Sequence, residues 1–473
     1  MKNFIQKYFK FKENNTNFRK EISGGLVTFL TMSYIIFVQP GVLSQTGMNF
    51  SSVMIATCLS AAIASILMGI LANYPIALAP AMGENFFFAF TVVLMLGVSW
   101  QQALGIVFIS GVIFVILTLI KVREKFINSI PASLKFSISA GIGLFIGFIG
   151  LCDAGIIIRN NSPLNAIAFT ENLTKDSIIE KLNIFQYSSG ALKVGDFSNP
   201  ATIVAIIGLF IIAFLLVKKV KGAILWGIIL TSVFGLIFSV IKWQGFMSPP
   251  PSITPTFLKL SFKGLFTIEI IPIIIVFFIM DFFDTIGTLI GVSSRAGLLK
   301  DNKLPRASKA LMADAVGTIG GALLGTSTVS SYIESAAGVE EGSRTGFSAV
   351  ITGFLFILAI FFAPLVSMIG GGYAYSAENG IFLYPITAPV LIIVAVLMMR
   401  EVVKIKWDDF SESIPAVLTF VGIPLTYSIA DGLAFGFISY TIIKILSGKL
   451  KDLNIILIIV TIIFLIRFIV IKF

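Results

Sequence analysis

Histidine is absent from this 473-residue chain. That excludes an imidazole proton relay, a histidine pH switch and any histidine-ligated metal site, and leaves proton chemistry to carboxylates. Cysteine is nearly absent: Cys58 and Cys152 lie in or at the end of apolar runs, in no ligand-spaced cluster, and read as small packing residues. Charged residues are only 12% of the chain, against about 25% in an ordinary soluble domain. What fills the space is apolar: 57% hydrophobic residues, 45 Phe beside only 4 Trp, and a mean hydropathy of +0.99. The chain is an all-α polytopic membrane protein by composition. No nucleophile–base pair, cofactor loop or metal cluster stands out, so neither an enzyme nor a cofactor or metal site is expected.

Runs of about 20 apolar residues, enough to cross a bilayer, fall at 24–44, 52–72, 101–120, 133–151, 200–217, 222–241, 266–289, 307–324, 347–369, 384–400 and 430–447. A short span at 413–428 contains Pro415 and Pro424. Two further segments are apolar but interrupted. Residues 75–97 open on prolines and Gly83-Glu84-Asn85, and residues 325–345 carry Thr326-Ser327-Thr328, Glu334 and several glycines. The total is fourteen. The first 22 residues are polar and basic and are not a cleavable signal peptide. The tail 453–471 suits a further span or an interfacial helix equally well.

Lysine and arginine cluster at Lys2–Lys20, Lys121/Arg123/Lys125, Lys218/Lys219/Lys221, Arg295–Lys309, Arg400/Lys404/Lys406 and Lys444–Lys451. Counted along the spans, all fall on one side, which places the N-terminus and both ends of the fourteen-span unit in the cytoplasm. This bias accounts for the net charge of +10 without nucleic acid.

The interrupted segments are third in each run of seven. Paired broken segments at corresponding positions point to a transporter's binding site, and seven spans per half require the halves to be inverted. Broken backbone at membrane depth must be buried in protein or line a watery cavity.

Polar residues concentrate between Asp281 and Gly346. A carboxylate at the centre of a membrane helix costs about 2.5–3.5 kcal/mol, so Asp281, Asp284, Asp314 and Glu334 each need a reason. Glu334, at the start of the second broken helix, can accept hydrogen bonds from a polar heterocycle or hold a proton; the alternative is a first-turn acid answering the helix dipole. Asp281, Asp284 and Thr288 are spaced to share one helix face, with pairing of an acid to Arg295 as the alternative. Asn85 offers a donor and an acceptor, or else caps its half-helix. Phe86, Phe87, Phe88 and Phe90 suit a planar ligand or plain packing. Asp314 is expected to hydrogen-bond within the bundle, and Gly317, Gly320, Gly321 and Gly325 to permit close helix packing. Asp408, Asp409 and Glu412 read as solvated loop acids.

DFFDTIGTLIG from Asp281, TSTVSSYIESAAGVEEGSRTG from Thr326 and SIPAVLTFVGIPLTYSIADGLAFGFISY from Ser413 together resemble the nucleobase:cation symporter-2 group, nearest its adenine/guanine/hypoxanthine permease branch. The resemblance extends over nearly the whole chain. It implies 7+7 inverted repeats, residues 1–245 and 246–473, with a core domain at 23–125 and 266–370 and a gate domain at 129–241 and 384–447. It implies short β-strands in segments 3 and 10. Purine uptake across the plasma membrane would be proton-coupled, with sodium the alternative ion, by elevator movement of core against gate, usually in a homodimer. Asp284, Glu334 and Asn85 match the acids of segments 8 and 10 and the asparagine of segment 3; with Phe86, Ser330 and Ser331 they are the expected substrate-binding residues, Glu334 and Asp284 also carry the expected proton coupling, and Glu84, Asp281, Thr288 and Asp314 are possible accessories. One departure is visible. The family pattern is Gly-Met-Gly, an apolar residue, then Asn-Ala, whereas this chain has Ala81-Met82-Gly83-Glu84-Asn85-Phe86, with an extra carboxylate. Anion carriers on the same architecture, or transporters of another small polar solute, are the competing class, and a channel or membrane scaffold a third; acids on the binding segments repel anions.

Overall fold

A computed structural model describes residues 2–120, 131–159, 192–267, 270–298, 304–376 and 381–470. The basic cluster Lys121/Arg123/Lys125 and most of the loop 153–198 lie outside them. The chain is mostly helical. Its helices are α1 (Lys2–Tyr8), α2 (Phe18–Met32), α3 (Ile35–Ser44), α4 (Phe50–Leu67), α5 (Met82–Phe86), α6 (Trp100–Leu119), α7 (Ala132–Asp153), α8 (Pro200–Val217), α9 (Ala223–Ile237), α10 (Ile271–Arg295), α11 (Ala307–Leu324), α12 (Ser335–Glu340), α13 (Gly346–Ala359), α14 (Ala363–Gly370), α15 (Ala388–Met399), α16 (Phe410–Thr426), α17 (Ile429–Leu446) and α18 (Ile455–Val470). Strands are β1 (Leu78–Pro80), β2 (Ile157–Arg159), β3 (Leu192–Val194), β4 (Val329–Ser331), β5 (Tyr373–Ser376) and β6 (Ile381–Leu383). Eight helical stretches among the described residues are long and apolar enough to cross a membrane; Met82–Met95, Ala223–Ile237, Phe410–Thr426 and Ile455–Ile466 are shorter.

The first expected span is not one helix. It stops after Met32 and restarts at Ile35, and the break exposes no backbone to lipid because Ser33 and Tyr34 are both buried. Segments 3 and 10 break as their sequences require. β1 leads into α5, which continues as a π-helix over Phe87–Met95; β4 leads through a turn into the six-residue α12. The two strands pair antiparallel, Leu78 opposite Ser331, Ala79 opposite Ser330 and Pro80 opposite Val329. A lone strand this deep would strand its amides. Here Leu78 N–H donates to Ser65 Oγ at 2.8 Å and Ala77 N–H to Ser335 Oγ at 3.0 Å, while Pro80, with no N–H to place, needs no partner there. Two further antiparallel strand pairs, β2–β3 and β5–β6, complete the strands among the described residues; nothing in the sequence reading anticipated them.

Helix packing sorts into two sets. α4 packs on α13, α11 and α3, and α6 on α11 and α10, around the β1–β4 pair. α7 packs on α15 and α16, α16 on α17, and α8 on α9 and α15. Close backbone approach within the first set needs glycine: a Cβ on Gly346 at the start of α13 would strike the Gly69 carbonyl oxygen. Of the four glycines at 317–325, Gly317 and Gly321 do meet close neighbours, Ala64 Cβ and Val329, whereas a Cβ at Gly320 would meet nothing within 4 Å.

One expectation is corrected at the end of the second set. Glu412 is not a solvated loop acid: it is buried in α16 and accepts from Lys444 Nζ at 2.7 Å and Tyr440 OH at 3.2 Å. Lys444, 1% exposed, also reaches Asp452 at 2.9 Å. Asp408 is exposed and Asp409 partly exposed ahead of α16, as expected; Asp409 also caps α16, accepting from the Ser411 N–H at 2.9 Å, and the Lys449 ammonium and Ser411 hold its carboxyl below the usual range. The tail folds back as a hairpin. Thr461 meets Thr441 at 2.8 Å, Phe464 meets Phe437 and Phe468 meets Phe435, so α18 runs antiparallel along α17 and also touches α10.

Candidate functional site

The predicted site residues come from four elements that the β1–β4 pair holds together, and they separate into an accessible layer and a sealed one. Strand alternation begins the separation. Ser330 points to one side and donates to Asp284 Oδ2 at 2.7 Å; Ser331 points to the other and reaches Asp314 Oδ1 at 3.4 Å.

The accessible layer holds Asp284 and Glu334. Asp284 is exposed, and Gly287, Ile290 and Ser294 continue the exposure along α10 at every third or fourth residue, which is one helix face. A Cβ at Gly287 would meet nothing within 4 Å. Ile333, 47% exposed, stands on the same opening, and the neighbouring Glu334 is half-buried. Glu334 occupies the N-cap position of α12 but its side chain caps nothing; its Oε1 instead accepts from Tyr34 OH at 2.7 Å. Pairing of Asp284 with Arg295 does not occur, because Arg295 pairs with Glu340 at 3.3 Å.

Asp281 and Thr288 do not share Asp284's environment, although the spacing suggested one face for all three. Both are buried while Asp284 is exposed; seven residues apart, they align on the buried side, and Asp284 sits some 40–60° round the helix at its open edge.

The sealed layer lies behind the strands. Asp281 Oδ2 accepts from Thr318 Oγ1 at 3.2 Å and Asp314 Oδ1 from Thr285 Oγ1 at 2.6 Å. Glu84 is 2% exposed. Asn85 does not cap α5, whose N-cap is Ala81. Its Nδ2 donates to Gln39 Oε1 at 2.6 Å, and Gln39 Nε2 donates to Thr326 Oγ1 and Ser327 Oγ, both at 2.8 Å. Gln39, Tyr34 and Thr326 were not anticipated as partners; a glutamine inside the first apolar run was the available signal.

Phe86 turns away from the opening. It is fully buried, stacked on Phe90 at 5.6 Å and edge-on to Phe145 of α7 at 6.5 Å. Phe145 and Phe148 in turn meet Tyr427 at 5.7 and 5.4 Å, and Thr91 Oγ1 donates to the Tyr427 carbonyl at 3.2 Å. This aromatic seam closes the joint between the two helix sets beside α5, while the Asp284 face of α10 stays open. Among the described residues no group of three or more acids or cysteines converges closely enough to hold a metal ion.

Residues 19–179 and 172–435 match the model of a family described as the Permease family. A putative permease of Methanocaldococcus jannaschii, MJ0326, is 46% identical over 98% of both chains. The guanine/hypoxanthine permease PbuG of Bacillus subtilis is 42% identical over 99% of this chain and 100% of its own, and the adenine permease AdeQ of Escherichia coli 40% identical over 98% and 96%. Among solved structures the backbone is similar to the transmembrane domain of a cyanobacterial bicarbonate transporter, BicA, at TM-score 0.60, 13% identity and coverage of 89% of this chain and 97% of that one. It is similar to SLC26A9 at TM-score 0.59, 10% identity, and 94% and 67% coverage; these two likenesses are of fold. Permease relatives span the whole chain and the fold is that of solved transporters, so this is a multi-pass membrane protein and not an enzyme: it belongs to the permease family, in the nucleobase:cation symporter-2 group its motifs resemble.

Proposed function

We propose that the chain carries purine nucleobases (adenine, guanine or hypoxanthine) into the cell across the plasma membrane, coupled to protons, with sodium as the alternative ion. The observation that supports this most directly is full-length similarity to adenine and guanine/hypoxanthine permeases joined to two carboxylates, Asp284 and Glu334, facing one opening beside the paired broken segments. Carboxylates accept the N–H groups of a purine edge and repel anions, which weighs against bicarbonate-like cargo despite the shared fold. In this reading the helix sets are core and gate, fourteen segments form 7+7 inverted repeats, and the N-terminus is cytoplasmic. The opening by Asp284 runs toward the Arg295 end of α10, which the charge bias places in the cytoplasm, and the aromatic seam at Phe86–Phe145–Tyr427 seals the outer half.

The mechanism follows from burial cost. A carboxylate facing the outside takes a proton, so its charge need not cross an apolar joint. A purine then binds between the broken segments and the core slides against the gate, which a homodimer would hold still. The test is uptake of radiolabelled hypoxanthine, guanine, adenine and uracil into a transport-deficient cell, with and without a protonophore. Accumulation of a purine that the protonophore abolishes is expected; Glu334→Gln and Asp284→Asn are expected to lose concentrative uptake. Wild-type accumulation in both variants would sink the assignment of these two acids.

A further inference from the structure

Among the described residues near the site, Glu84 differs from every other acid in accepting from no side chain. Asp284 accepts from Ser330, Glu334 from Tyr34, Asp281 from Thr318, and Asp314 from Thr285 and Ser331. No side chain donates to Glu84, whose only recorded partner is its own backbone, and its Oε1, buried, has no partner at all. It reaches the cluster from a different element, α5, and the groups acting on it electrostatically are Asp284 on α10 and Asp314 on α11, with Tyr332 beyond β4. Asp281 on α10 is a further acidic neighbour. From α7, Ile142 packs 3.0 Å from a Cβ at Gly83. No lysine or arginine among the described residues pairs with Glu84, Asp281 or Asp284.

A bare carboxylate buried among other carboxylates has both desolvation and like-charge repulsion against it. Among the described residues no group of three or more acids or cysteines converges on a metal-sized site. Asp284, its electrostatic neighbour, stands on the exposed face of α10 and offers the way in and out. We propose that Glu84 is a second proton site, loaded and emptied through Asp284 in each transport cycle, so that this carrier moves two protons per purine. One proton neutralises one of the substrate-facing acids, Asp284 or Glu334; the other neutralises Glu84, which never touches the substrate. The family pattern has an apolar residue at this place, so the extra proton belongs to this chain. This rests on the purine-permease reading above.

The test is the full-length protein reconstituted in liposomes with the membrane potential clamped to zero. The steady-state hypoxanthine accumulation ratio is measured against the imposed pH difference. The logarithm of the ratio is expected to rise with slope two in wild type and slope one in Glu84→Gln. Slope one in wild type, or slope two in the variant, overturns the second site while leaving purine transport standing. No proton-dependent accumulation at all would instead fail the permease reading. An infrared pH titration of both proteins needs no substrate: a titrating protonated-carboxyl band present in wild type and missing in Glu84→Gln is expected, and identical spectra overturn the proposal whatever the protein carries.

Discussion

Tyr34 and Glu334 stand 300 positions apart in sequence and 2.7 Å apart in space, the first between α2 and α3 and the second in the turn between β4 and α12. A hydrogen bond to a charged group contributes about 1.5–3 kcal/mol. Tyr34→Phe keeps the ring and removes the donor, so KM for the transported purine is expected to rise roughly tenfold or more, with protein still reaching the membrane. Unchanged kinetics would mean that the tyrosine only fills space. This pair also marks where sequence reading stops. Glu334 announced itself because a carboxylate in an apolar run needs explaining. Tyr34 did not, since a tyrosine in a span is ordinary until its partner is known. Gln39 is intermediate: an amide in an apolar run is a signal, but its tie to Asn85, Thr326 and Ser327 is not written in any local spacing. The separation of Asp284 from Asp281 was similarly hidden, because helical spacing says which residues are near one another and not which edge of the helix meets water.

Among elements, the broken third and tenth segments were readable from Pro, Gly and hydroxyl content; their short strands came only with the family resemblance, and the pairing of the two strands, which satisfies backbone at depth, was not anticipated. The fold-back of α18 was not readable, since its apolar surface suits a span and an interface alike. The α16–α17 joint was misread, because Glu412 looked like a loop acid when its partner lay 32 residues on. That joint makes a sharp prediction. Removing one partner of a buried ion pair costs about 3–5 kcal/mol, whereas replacing both is often neutral. Lys444→Met is therefore expected to lower the thermal midpoint of the detergent-solubilised protein markedly, and the double variant Glu412→Gln/Lys444→Met to recover most of the loss. Equal destabilisation of single and double variants would show that Lys444 acts through packing or Asp452 instead.

For the molecule as a whole, the proposed movement of one helix set against the other would have to break and remake the contacts between them. At the end of the bundle where the basic residues gather, the turn before α9 presents Lys221, which pairs with Glu341 between α12 and α13; Ser23 at α2 also donates to Glu341 at 3.1 Å. Both ion-pair partners are partly exposed, so the bridge itself contributes at most about 1 kcal/mol and can open readily, as a contact between sliding bodies must. Lys221→Cys/Glu341→Cys joined by a short methanethiosulfonate cross-linker would make that contact permanent. If the sets slide, cross-linking abolishes purine uptake, reductant restores it, and either single variant treated alike keeps transporting. If instead the barrier is rearranged by small local motions around Asp284 and Glu334, the cross-linked protein transports normally, and the two sets are then one rigid body in function.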